Sequence, residues 1–241
     1  MVQTESTDKF NKEHHIETAV YDSFSLLNSY AIRQHKAILC LCNEGWTDIT
    51  PILLRAIMEC SINLLAIANY ELPEYMAFKY LSHDLLKLIR DNYYSEKLRE
   101  EGRRDLRKGL NNIENPAVHQ RAEESIKREK LYTYWFQPEF KSVSEIIKKF
   151  GRQELKSELQ NAYNTLSTSI HAAYLGTVIF KDIPEKVNIE PCENPRRTRE
   201  AILADCKLLL DLLVIRNDYE DLKCDLVYQS IYDDLVIIKN E

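Results

Sequence analysis

Polar side chains recur at intervals of four residues inside two segments that otherwise have the pattern of apolar helices. Residues four apart project from the same side of an α-helix, and a buried polar group is costly unless it finds a partner. The two stripes therefore indicate either a hydrogen-bond network that joins core helices or a ligand-binding or catalytic site. Their members are Arg55, Glu59 and Asn63 in the segment 48–69, and Tyr163, Ser167 and His171 further along the chain.

As a site, the stripes would suit a ligand that carries a phosphate or a carboxylate. The planar guanidinium of Arg55 has five donors and would stabilise negative charge. His171 is the one member that titrates near neutrality, so it would be the acid or base, with Glu59 orienting Arg55 or His171. We predict these three as the catalytic residues. The predicted ligand-binding residues are the other members of the stripes: Tyr163, Ser167 and Asn63.

As structure, the stripes would only fix the register of two core helices. The segment 48–69 is apolar in nearly every direction around its axis, so we expect a central helix with no side on which Arg55 and Glu59 face water. An Arg four residues before a Glu is the weaker orientation for a surface pair, which argues against simple helix stabilisation. Both interpretations stay open at this point.

Three arginines lie in the first turn of the predicted helix 195–216, where their positive charge opposes the helix dipole. An anion bound by the free amides and these side chains would resolve the conflict, and so would an acidic neighbour such as Glu193, Glu200 or Asp205. We include the arginines among the predicted ligand-binding residues: Arg196, Arg197 and Arg199.

The elements that must position these residues are helices. Only 5 Gly and 7 Pro leave little material for hairpins, and the apolar periodicity is helical. We predict an all-α, multi-helix bundle of about seven or eight helices around one core. Residues 96–115 are predicted to be an exposed extension or a loosely packed helical connection, and 131–136 an aromatic anchor. The predicted helices cover residues 12–42, 48–69, 73–89, 117–130, 142–150, 153–174, 195–216 and 219–238.

We predict one helical domain over residues 1–241, with a core bundle at 12–180 and a C-terminal helical pair at 195–241 packed on it. Residues 181–194, which contain proline, form the predicted linker between them.

Composition limits the classes of function. The net charge of −6 argues against a protein built around bulk nucleic-acid backbone, although it leaves a local basic patch open. The polar start has no signal-peptide core, no run approaches the roughly 18 apolar residues that span a bilayer, and the six cysteines are scattered. We therefore expect a cytoplasmic protein with reduced thiols and no membrane partner.

No metal or cofactor is predicted. Cys40 and Cys42 lie two apart on a predicted helix, where neighbours point to nearly opposite faces. The Glu-x-x-His pairs of di-iron bundles do not occur, and the isolated glycines form no phosphate-binding loop.

Roughly residues 20–175 resemble an uncharacterised bacterial family of helical proteins, a domain of unknown function. The shared patterns are L-x-R-x-x-x-E, formed here by Leu53, Arg55 and Glu59, and Y-x-x-L-S-x-x-x-H. Trp135 and Pro138 stand where that family often has an aromatic residue followed by proline. The second pattern is formed by Tyr163, Leu166, Ser167 and His171.

A looser resemblance is to helical nucleotide-binding and ribonuclease domains of prokaryotic toxins and defence systems. Those carry an Arg followed four to six residues later by His, whereas here the pair would come from Arg55 and His171 on different helices. The resemblance implies a phosphate-bearing partner, a small molecule or RNA, that is bound or cleaved. The alternative is a non-catalytic interaction or scaffold module, with a protein partner or a second copy of the chain.

Overall fold

The computed structural model describes residues 18–47, 49–91, 93–127, 132–150, 160–161, 163–164 and 195–240, with the backbone alone for 18, 195, 197 and 235–240. These residues contain helices and no strand, which confirms the all-α prediction. In chain order the helices are α1 (Thr18–Asn43), α2 (Thr50–Ala68), α3 (Pro73–Arg90), α4 (Glu96–Asn111), α5 (Pro116–Lys127), α6 (Val143–Phe150), α7 (Pro195–Glu220) and α8 (Asp225–Asn240).

Local chemistry sets several of these bounds. Gly45, with φ of 79°, reverses the chain after α1, and the amide of Trp46 donates to the carbonyl of Leu41 at 2.8 Å. At the start of α6 the amide of Glu145 donates to Ser142 Oγ at 3.3 Å, and Glu145 Oε2 accepts from the amide of Lys141 at 2.7 Å. This arrangement is a capping box, except that its second bond reaches Lys141.

The charged segment 96–115 packs more closely than the predicted exposed extension or loosely packed helical connection. Residues 96–111 form the regular helix α4, and Gly102 and Leu106 are buried. A Cβ on Gly102 would lie 3.0 Å from Leu88 Cδ2 and 3.2 Å from Ile89 Cγ1 of α3. The helix thus packs closely where it carries no side chain, and its charges occupy the other side.

The turn between α7 and α8 also differs from the prediction, since α7 continues to Glu220. Asp221 and Lys223 have positive φ, 49° and 56°. The amide side chain of Asn217, nearly buried, spans the turn: its Nδ2 donates to Asp225 Oδ1, and its Oδ1 accepts from the amide of Cys224, both at 2.9 Å. The bond with Cys224 satisfies a backbone amide just before α8, and the bond with Asp225 joins α7 to the first residue of α8.

Contacts divide the chain into two units, Met1–Ser25 with Ala66–Ile146 and Leu26–Leu65 with Ile147–Glu241. In the first unit, Tyr75, Met76, Phe140 and Ile146 are fully buried, and the predicted aromatic anchor contributes Phe136, 3% exposed. In the second unit, the largest buried side chains belong to α1 and α2. They are Ile38, Ile57, Met58, Ile62 and Leu64, and Ile147 of α6 is equally buried. The division of the chain into a core bundle and a C-terminal pair stays a prediction.

Among the described residues, one helix is long and apolar enough to cross a membrane by length and composition, contrary to the expectation that no run is apolar enough. That helix is α2, and 61% of its apolar window is buried within the protein. A core helix of a soluble protein has the same properties. The absence of a membrane partner therefore stays a prediction.

Candidate functional site

The two polar stripes meet at Arg55 and Tyr163. Arg55 lies on α2 with its side chain 9% exposed, and its Nη1 donates to the backbone carbonyl of Tyr163 at 3.0 Å. The guanidinium carbon lies 3.7 Å from the centroid of the Tyr163 ring, well within the range of a cation–π contact. Positions 108 residues apart in sequence are thus joined by one side chain.

The expectation that α2 has no side facing water was wrong. The side chain of Glu59 is 51% exposed and Ile52 as a whole residue is 49% exposed, while Ala56 and Asn63 are intermediate. These four residues form the sector that contains the polar stripe. Glu59 keeps its carboxylate partly hydrated and still accepts from Arg55 Nε at 2.7 Å, so the pair has one buried and one solvent-accessible member.

These contacts determine what Arg55 does in the folded chain. The carboxylate of Glu59 and the carbonyl and ring of Tyr163 all interact favourably with its positive charge, so the buried cation is compensated within the protein. Because Glu59 is half-exposed, removing one partner costs less than the roughly 3–5 kcal/mol of a fully buried pair. The arrangement therefore contributes to stability, and it also holds a guanidinium in a fixed orientation beside an accessible carboxylate. Ser167 and His171 lie outside the described residues, so the catalytic assignment of Arg55, Glu59 and His171 stays a prediction.

The arginines at the start of α7 are exposed to solvent. The side chain of Arg196 is 88% exposed, and its Nε donates to Glu200 Oε1 at 3.0 Å. Arg199 is exposed as well, and the side chain of Arg197 lies outside the described part. For Arg196 the acidic neighbour foreseen as the alternative to a bound anion is present.

Sequence reasoning missed a polar pair between α1 and α7. His35 Nδ1 and Asp205 Oδ2 are joined by a short hydrogen bond, with Asp205 fully buried and the imidazole 25% exposed. Burial raises the pKa of Asp205, and the hydrogen bond from His35 partly offsets this. A signal existed in the sequence, because Asp205 stands on the apolar side of α7 with Ala201, Leu208 and Leu212, but its partner is 170 residues away.

A second missed group lies in the first unit, around the buried carboxylate of Glu139. Lys79 Nζ donates to Glu139 Oε2 in a short bond and to the carbonyl of Gln137 at 2.7 Å. The Tyr75 hydroxyl donates to Glu139 Oε1 at 2.6 Å. Burial alone would raise the pKa of Glu139, but the bonds from Lys79 and Tyr75 outweigh it, so the pKa lies below its ordinary value.

The described residues contain no cluster of three or more His, Cys, Asp or Glu side chains that could hold a metal ion. Neither the His35–Asp205 pair nor the group around Glu139 therefore has the composition of a metal centre. In each, the carboxylate interacts with a basic side chain of the protein.

These features define an all-α protein whose helices are joined by buried, charge-compensated polar pairs. A family model matches residues 22–182, and the chain belongs to this family, a family of unknown function (DUF5677). The match confirms the resemblance seen in the L-x-R-x-x-x-E and Y-x-x-L-S-x-x-x-H segments, both of which lie inside it. Asp205, α7 and α8 lie outside it.

No match was found among curated proteins or among solved structures. The comparisons therefore give the resemblance to ribonuclease domains no support.

Proposed function

We propose that the protein binds a phosphate-bearing ligand, RNA or a nucleotide, at the two polar stripes, and that it cleaves this ligand there. The contact between Arg55 and Tyr163 supports the proposal, because it brings one member of each stripe together. A guanidinium with a fixed orientation is the group that recognises phosphate most specifically. We further propose that the protein acts in the cytoplasm of a bacterial cell, as a component of a toxin or defence system.

In this proposal the phosphate of the ligand replaces the carboxylate of Glu59 as the partner of Arg55. The Glu59 carboxylate is half-exposed and accepts from Arg55 Nε. A phosphate has the same charge sign and acceptor geometry as this carboxylate, so it would take the place of Glu59 on the guanidinium. Glu59 would keep Arg55 oriented in the absence of ligand and move into water when the ligand arrives.

The test is native mass spectrometry of the purified protein, which would detect a retained nucleotide or RNA fragment, followed by calorimetric titration with ATP. Arg55→Lys keeps the charge and loses the planar fork, so we expect ATP affinity to fall at least about tenfold. Glu59→Gln removes the competing charge and should increase it. Unchanged affinity in both variants, or a large loss of stability in Arg55→Lys without any ligand binding by the wild type, would contradict the proposal.

The second candidate function is a non-catalytic interaction module. Exposed apolar side chains on α8 favour it, with Leu226 87% exposed and Val227 58% exposed. Large apolar groups in water mark surfaces that pack on another protein. In that case the Arg55 pair would only fix the packing of α2.

Light scattering coupled to size-exclusion chromatography separates the two candidates. For an interaction module formed by two copies, Leu226→Glu with Val227→Glu should convert a dimeric mass into a monomeric one and leave ATP binding absent. For a phosphate-binding protein, the same variant should leave the ATP affinity unchanged.

A further inference from the structure

The helix α4 presents four of its six cations on one face. Gly102, Leu106 and Gly109 lie on the side that packs against α3: a Cβ on Gly109 would lie 3.7 Å from Phe78 Cε2, and Leu106 is buried. Arg104, at about 200° from Gly102 around the helix axis, points the other way. A shallow depression of about 660 Å³ lies along this opposite side. Its lining residues are Glu100, Arg103, Arg104, Arg107, Lys108, Asn111 and Asn112.

We call the last six of these residues the basic face of α4. Internal ion pairs compensate it only in part. Arg103 Nη1 pairs with Glu96 Oε1 at 2.7 Å, and Arg104 Nε lies 3.9 Å from Asp105 Oδ1, with the Arg104 side chain 75% exposed. Arg107 and Lys108 are exposed and form no ion pair with another described residue. Surface pairs of this kind are weak, so the face keeps a positive field in a chain whose net charge is −6.

The chemistry of the face determines its partner. It offers guanidinium or ammonium cations and side-chain amides, with the carboxylate of Glu100 lining the same depression, and the exposed side chains from Arg103 to Asn112 include no large apolar residue. A membrane-surface helix needs an apolar face for the acyl region as well as cations. Cations in successive turns of one helix, with neighbouring amide donors, match the spaced phosphates of a nucleic-acid backbone.

We propose that the basic face of α4 is a docking surface for the phosphate backbone of a single RNA strand. This inference concerns residues other than those of the Arg55 stripe, and it does not require cleavage. The acidic remainder of the protein repels the strand, so binding should be confined to the face and should depend steeply on salt.

The test compares two triple variants with the same change in net charge. Arg104→Gln, Arg107→Gln and Lys108→Gln neutralise the face. Lys127→Gln, Lys141→Gln and Lys223→Gln form the matched control, because these lysines are exposed and lie elsewhere. Fluorescence anisotropy with a labelled single-stranded RNA of about 20 nucleotides gives the affinity at several salt concentrations.

We expect the face variant to bind this RNA at least about tenfold more weakly than the wild type, with the slope of log K against log salt reduced by about 2. The control triple should stay within about twofold of the wild type. Equal losses in both triples would show a response to net charge alone and overturn the inference. An unchanged affinity in the face variant, or no RNA binding by the wild type, would overturn it too.

Two further measurements separate this inference from the proposed function. ATP is too short to follow the helix, so ATP affinity should be unchanged in the face variant and reduced in Arg55→Lys. Vesicles of anionic phospholipid replace RNA in a sedimentation assay; binding to vesicles but not to RNA would assign the face to a membrane surface and contradict the inference.

Discussion

The guanidinium of Arg55 lies 3.7 Å from the centroid of the Tyr163 ring and donates to the carbonyl of the same residue at 3.0 Å. One side chain therefore contacts both the aromatic face and the backbone of a segment far away in sequence. Because the arginine is almost completely buried, the contact replaces the hydration that this cation has lost.

Tyr163 variants should separate the contribution of the ring from that of the backbone. Tyr163→Leu keeps the carbonyl acceptor and removes the π-face, so we expect the free energy of unfolding to fall by about 1–2 kcal/mol. Tyr163→Phe keeps the face and should cost less than the leucine variant. Urea denaturation followed by circular dichroism measures both, and a phenylalanine variant that is the less stable of the two would show that the ring contact is unimportant.

Lys79 should be among the most sensitive positions of the first unit. Lys79→Met leaves the carboxylate of Glu139, 9% exposed, without its cation, and breaking a buried pair in this way costs about 3–5 kcal/mol. The double variant with Glu139→Gln removes the isolated charge and should recover part of the loss. Chemical denaturation of the two variants gives the comparison, and additive losses would contradict the coupling of the pair.

The same carboxyl should make stability fall in acid. Its bonds with Lys79 and Tyr75 outweigh burial and hold the pKa of Glu139 below its ordinary 4.5, so the unfolded chain binds this proton more readily than the folded one. The stabilisation is complete above pH 4.5 and is lost as the pH falls through the folded pKa.

Melting temperatures between about pH 5 and pH 3 should therefore fall more steeply in the wild type than in Glu139→Gln. The raised pKa of Asp205 acts in the opposite direction, but it is present in both proteins and cancels in the comparison. Parallel curves would exclude Glu139 as a source of the acid dependence.

The thiols of α1 and α2 should react at very different rates. Burial, followed by the negative charge of Glu59, raises the pKa of Cys60 to about 12, so only about one molecule in ten thousand carries this thiolate at pH 8. Cys40 is exposed on α1. An aromatic disulfide reagent should label Cys40 rapidly and Cys60 only after unfolding.

Peptide mass mapping identifies the labelled residue, and Cys40→Ser should abolish its signal in the native protein. Labelling of Cys60 on the time scale of Cys40 would mean that α2 opens far more often than its burial suggests.

Two glycines of α4 should respond differently to alanine. Gly109→Ala places its methyl group 3.7 Å from Phe78 Cε2, an ordinary contact, and gains about 0.5–1 kcal/mol in helix propensity. Gly102→Ala meets Leu88 and the stiff β-branched Ile89 at 3.0 and 3.2 Å, and the resulting displacement costs about 1–3 kcal/mol. Thermal unfolding should rank Gly109→Ala above the wild type and Gly102→Ala below it; the reverse order would contradict the close approach of α4 to α3.

Helix positions could be predicted from sequence wherever apolar periodicity and end signals coincide. Pro73 begins α3 and Gly45 follows α1, as their backbone preferences require. The charged segment of α4 was harder, because its packed side is made largely of glycine, which contributes nothing to an apolar pattern. Regular packing there became apparent only from the proximity of Leu88 and Ile89.

The sequence by itself determined that the chain is all helical, that the segment 48–69 is apolar in nearly every direction, and that Arg55 occupies a position where a cation needs partners. The tertiary structure decided which residues pair: Tyr163 with Arg55, Asp205 with His35 and Glu139 with Lys79. The reason is physical. Helical periodicity depends on neighbours within four residues, whereas charge compensation in a low-dielectric interior depends on whichever group the fold brings within about 3 Å, and sequence spacing carries no record of that distance.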